Sequence, residues 1–190
     1  MKTAFTAAGL SLLAVFLAYA FRLTLWNSLG LNPETIVLEE YGDMMLEARG
    51  LFMEMSEEFQ SLARAAADME GLHILRRADG RPAAIRGNEA MEPASVFAGP
   101  GAEDLDALLE NLEAVFRGAE VAVPGDGGEE TEAAHAQVLS ISVTEDAMEF
   151  YTHFHKLGYV GICYKKTPEA GENRDRIELV EDWQIFYKMD

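Results

Sequence analysis

The feature that most limits what this chain can become lies at its start. From Ala4 to Phe21 there are 18 residues without a charge, with Thr6, Ser11 and Tyr19 as the only polar side chains. As a helix, a run of that length just crosses the roughly 30 Å hydrocarbon layer of a bilayer. Lys2 precedes it, Arg22 follows close enough to snorkel, and Trp26 is placed to sit at the interface. Beyond Arg22 the next charges are the acids Glu34, Glu39 and Glu40. Positive charge is favoured on the cytoplasmic side, so the expected orientation keeps the amino terminus inside and sends the remainder out. Residues 1–26 are therefore expected to be a single-pass transmembrane anchor or a signal segment. In the second case, cleavage falls after Ala18-Tyr19-Ala20, which has small residues at the two required positions, and the product is secreted or periplasmic. A third reading folds the segment away as a buried helix. The first two place the domain outside the cytoplasm.

Charge narrows the partners. The 190 residues carry 33 acids against 15 bases, a net −18. Such a chain offers no basic face to a phosphate backbone, so nucleic acid is excluded as a partner. The single cysteine, Cys163, permits no intrachain disulfide and is expected to be buried and inert.

After the opening segment the sequence predicts a long amphipathic helix over 33–70. Asn32 suits the cap, Pro33 the first helical position and Glu34 the positive end of the dipole. Leu38, Tyr41, Met45, Ala48, Phe52, Met55, Phe59, Leu62, Ala66 and Met69 follow at alternating steps of three and four, and Gly71 closes the run. An unbroken helix from Pro33 to Glu70 would be roughly 57 Å long. Two readings stand. The helix packs on its own domain, with a break at Gly42 or Gly50, or its first half pairs with a partner. On the second reading Leu38, Tyr41, Met45 and Phe52 are the partner-binding residues.

Residues 71–190 are expected to form an α+β domain: a mainly antiparallel sheet with one further helix. "LHILRRADGRPAAIRG" reads as a hairpin turning at Asp79-Gly80. It holds Arg76, Arg77, Arg81 and Arg86, the one basic cluster of the chain and a candidate patch for an anion or an acidic partner. The alternative is that these arginines pair with acids of their own domain. "NEAMEPASVFAGPG" reads as irregular. "AEDLDALLENLEAVFRG" reads as a helix, with an acidic first turn, Arg117 in its last turn and Gly118 beyond it. "PGDGGEETEAAHA" reads as an acidic loop. Asp126, Glu129, Glu130 and Glu132 supply oxygens there, but not at EF-hand spacing. "QVLSISV", "GYVGICYKK" and "DWQIFYKM" are strand-like, with "TPEAGENRDR" as the loop before the last pair.

The run "TEDAMEFYTHFHKLG" fits a helix from Thr144 to Gly158, yet its aromatic and threonine content favours a strand. That choice governs His153-x-His155. On a strand the two imidazoles share a face and are metal-ligand candidates; on a helix they diverge by about 200°. A catalytic zinc site needs three protein ligands, and no third lies nearby in sequence. The chain has no GxSxG, P-loop, CxxC or HExxH pattern, and nothing in it implies a cofactor.

The expected function is that of a membrane-anchored extracytoplasmic interaction or accessory protein. Its partners are the membrane, through the N-terminal helix, and another envelope protein or a second copy of itself. The alternatives are a secreted soluble ligand-binding domain released by signal cleavage and a small metal-assisted hydrolase using His153 and His155.

Overall fold

The computed structural model describes residues 33–77, 79–98, 104–124, 131–155, 158–167 and 175–189. The anchor or signal segment 1–26, the cap Asn32, and Asp126, Glu129 and Glu130 lie outside the described residues. No helix among the described residues is long and apolar enough to cross a membrane.

The chain divides into two compact units, 1–42 and 43–190. Of the first, the structure describes the opening turns of helix α1 (Pro33–Glu54), in which Tyr41 is buried.

The second unit is α+β. The apolar run expected as one helix over 33–70 is two: α1 ends at Glu54, and α2 spans Ser56–Ala66. The break falls at Met55, whose backbone (φ −126°, ψ 30°) leaves the helical region. Gly50 does not break the helix because it serves packing: a Cβ there would lie 2.8 Å from Cβ of Val121. The bend lets Phe52 and Phe59 both reach Trp183, with centroids 5.0 and 6.1 Å away. Gly71 (φ +75°) then turns the chain into the sheet.

Ten strands follow: β1 (Leu72–Arg76), β2 (Pro82–Arg86), β3 (Glu89–Met91), β4 (Ala119–Pro124), β5 (Thr131–Ala136), β6 (Ser140–Val143), β7 (Ala147–His155), β8 (Gly158–Lys165), β9 (Asp175–Val180) and β10 (Trp183–Met189). Helices α3 (Pro93–Phe97) and α4 (Leu105–Arg117) lie between β3 and β4. The described residues thus carry three helices in this unit besides α1. Eight strands form one sheet in the order β3-β2-β1-β6-β7-β8-β10-β9, every neighbour antiparallel; β4 and β5 pair separately.

Period-two alternation explains why the sheet packs as it does. One cross-strand row reads Met91, Ala84, Ile74, Ile141, Phe150, Ile162, Ile185, Ile177, apolar through all eight strands. Phe59 of α2 stands edge-on to Phe150 in that row, so this is the face the helices cover. One residue over, on the opposite face, the row reads Ile85, His73, Ser142, Glu149, Cys163, Gln184, Glu178. Ser142, Glu149, Cys163 and Gln184 are buried all the same.

Helix α4 follows its sequence cues. Asp104 accepts a hydrogen bond from the Ala107 amide at 3.0 Å, Arg117 occupies the last turn, and Gly118 (φ +79°) leaves the helix. The segment expected to be irregular instead supplies β3 and α3. Gly87 and Asn88 form a two-residue turn (Gly87 φ +62°) that folds β3 back onto β2. The acidic run expected as loop contributes β5, which is held by β4 despite its alanine-rich sequence. The run before the last pair gives its final residues to β9.

Candidate functional site

The arginine cluster is the best-formed candidate. The β1–β2 turn is held by its backbone: the Arg77 amide donates to the Arg81 carbonyl at 2.9 Å, and the Arg81 amide donates to Oδ1 of Asp79 at 3.1 Å. This turn and the last turn of α4 enclose a surface cleft of about 420 Å³. Arg76, Asp79, Gly80, Arg81, Pro82, Glu113 and Arg117 line it. Arg76 is aimed by Gln137, whose Oε1 accepts from Nη1 at 2.6 Å. Although Asp79 and Glu113 line the same cleft, none of the three arginines makes an ion pair among the described residues. In a chain with two acids for every base, three guanidinium groups against the two carboxylates of Asp79 and Glu113 leave this cleft a net positive lining. Arginine's planar fork suits carboxylate or phosphate.

The four arginines of the expected patch do not act together. Arg76 and Arg81 share the cleft. Arg77 lies 3.8 Å from Glu92 in an exposed pair, a contact that contributes little. Arg86 pairs with Leu72 at the other end of the hairpin. The third member, Arg117, is distant in sequence and reaches the cleft through α4. Its only sequence signal was its place as a helix-ending cation.

The proposed partner-binding residues of α1 divide differently. Phe52 is 2% exposed, with its ring on Trp183, and Met45 is buried; Tyr41 is buried as well. The side chain of Leu38 lies outside the described set.

His153 and His155 lie on β7, as the strand reading expects. A bulge between Tyr151 and His153 shifts the alternation, so that His153 faces α1 and Phe154 faces the other side. His153 Nε2 is 2.9 Å from Oε2 of Glu47, and its Nδ1 is 3.0 Å from Oγ1 of Thr152. Thr152 Oγ1 in turn donates to the Val160 carbonyl at 3.3 Å. The chain of acid, imidazole and hydroxyl resembles a nucleophile relay, but Thr152 is 3% exposed and its proton is committed, so no substrate reaches it. Among the described residues no group of three or more His, Cys, Asp or Glu side chains is placed to hold a metal ion.

Compared with known proteins, the chain matches no family model, no curated protein and no solved structure.

Sequence reasoning missed the buried polar row of the second sheet face. Glu149 is 4% exposed and accepts a hydrogen bond from the Tyr151 hydroxyl. Cys163 sits between Glu149 and Gln184 in register and is fully buried, which shields its thiol from reagents. Glu149 and Gln184 are each two residues from a neighbour on the same face, and that period was the available signal.

Proposed function

We propose that this chain is a membrane-anchored extracytoplasmic accessory protein whose folded domain binds an acidic segment of another envelope protein. The observation that carries the reading is the cleft of Arg76, Arg81 and Arg117: three cations gathered without ion pairs among the described residues, in a chain of net −18. Gathering like charges costs free energy that an arriving carboxylate offsets. The anchor itself is supported by the uncharged run from Ala4 to Phe21.

The test is recovery of the complex from detergent-solubilised membranes with wild type and with Arg81→Glu/Arg117→Glu. Wild type brings down a partner, and rising salt weakens the association because the contact is electrostatic. The double variant loses the partner while keeping its circular dichroism. Recovery of the wild type as a lone monomer, or equal recovery by both proteins, overturns the reading. Sequencing the amino terminus of the mature protein separates this reading from a secreted one, since cleavage after Ala20 would remove most of the anchor.

A further inference from the structure

The two edges of the eight-stranded sheet are built differently. β3 has three residues, and its chain turns straight into α3 at Pro93. A short strand followed by proline gives an incoming strand little to pair with. β9 closes the other edge with six residues, none of them proline or lysine. No described strand pairs with its outer side. Of the five large apolar side chains strongly exposed among the described residues, two stand on β9: Ile177 at 44% and Val180 at 51%. Ile177 is the last member of the apolar row that α2 covers in mid-sheet, so that row runs out to a bare margin.

The sequence of β9 is complementary to itself. The irregularity in its pairing with β10 falls at the Val180 end, and Asp175 to Glu178 keep regular register. Within that stretch Arg176 precedes Ile177 and Glu178 follows it. Positions 176 and 178 share one face of the strand, and Ile177 takes the other. Two such strands laid antiparallel about a two-fold axis at Ile177 bring residue 177 opposite its own copy. Residue 176 of each then lies opposite residue 178 of the other. On the helix-covered face isoleucine meets isoleucine; on the second face arginine meets glutamate twice. A slip of one residue would set Ile177 opposite Glu178 and Arg176 opposite Leu179, matching charge with apolar surface, so the strand specifies its own register. Glu178 accepts from Lys165 Nζ at 3.2 Å, yet its side chain stays 57% exposed, which leaves a carboxylate that a second cation can reach.

We propose that β9 pairs antiparallel with β9 of a second copy of this chain, joining the two eight-stranded sheets into one about a two-fold axis at Ile177. Main-chain hydrogen bonds hold the two edges together, and the side chains fix the register. Six residues a side bury far less than the roughly 1,600 Å² of a standard stable interface, so the dimer is reversible and concentration governs it. The arginine cleft lies at the β1–β2 turn, toward the opposite edge, and pairing through β9 leaves it open. The dimer therefore presents two clefts, and a partner with two acidic segments gains from engaging both.

Two differently tagged copies of the full chain are mixed in mild detergent over a range of concentrations, and retrieval of one is read for recovery of the other. Wild type associates with itself. Arg176→Glu alone and Glu178→Arg alone each set like charge against like charge, and self-association is expected to fall about tenfold or more. Mixing the two variants sets two acids against two bases, and association returns; that return also shows that both variants are folded. Wild type that remains monomeric at its highest soluble concentration overturns the proposal. So does self-association that survives both single variants, which assigns the contact to another surface. Loss in both that mixing does not restore overturns it as well, because the two charges then do not face each other. The register has its own check. Ile177→Cys is expected to form a disulfide with its copy under mild oxidation, since facing residues lie about 4.5–5.5 Å apart at Cα, while native Cys163 is buried. A variant that associates without cross-linking overturns the axis at Ile177.

Discussion

The ring of Phe59 stands edge-on to that of Phe150, with centroids 4.9 Å apart at 84°. Both are fully buried, and the contact joins α2 to the middle of the sheet's apolar row. Phe59→Ala removes a large ring from the centre of the core. The expected loss is about 3–5 kcal/mol, read from urea unfolding of the full chain in mild detergent.

Two glycines should respond to alanine with opposite signs. At Gly118, φ is +79° and a Cβ would lie 2.0 Å from the Ala136 carbonyl oxygen, so backbone must move where β4 begins. Gly118→Ala is expected to cost more than about 3 kcal/mol, since strain and overpacking add. At Gly42, inside α1, an added methyl group would meet nothing within 4 Å. Gly42→Ala should raise stability by up to about 1 kcal/mol through helix propensity and a less flexible unfolded chain. Thermal unfolding of both variants beside wild type checks the pair.

Glu47 and His153 form a half-buried contact between α1 and β7, with side chains 25% and 23% exposed. A double-mutant cycle of Glu47→Gln and His153→Ala should give a coupling of about 1 kcal/mol, discounted for its partial exposure to solvent. A coupling indistinguishable from zero would mean that α1 is held on the sheet by its apolar contacts alone.

Asp104 caps α4, and α4 positions Arg117. Asp104→Ala should lower stability by about 1 kcal/mol. It should also weaken partner recovery less than Arg117→Glu does, because the cleft keeps its charge. Equal losses from the two variants would place the effect of Arg117 in the helix rather than in binding.

Legibility followed locality. β6, β8 and β10 were readable from their alternation or aromatic content, whereas β7 also fitted a helix and only its aromatic and threonine content favoured a strand. Helix α4 was readable because Asp104, Arg117 and Gly118 mark its ends. The break at Met55 was not, since the 3-4 spacing runs through it and no glycine or proline marks the position. β5 was hidden because Ala133, Ala134 and Glu132 have no strand preference of their own and are ordered by β4. In the cleft, Arg76 and Arg81 were visible as a local cluster. Arg117 was not, because only the packing of α4 brings it across.

β10 lies inside the sheet, between β8 and β9, although it follows both in the chain. A nascent chain that has emerged only as far as Asp182 lacks Trp183 and Ile185, and β9 has nothing to pair with. Truncation or a stalled ribosome in that window leaves a bare apolar margin on β8. Quality-control proteases and chaperones would meet such an incomplete chain through that margin, which the arrival of β10 covers.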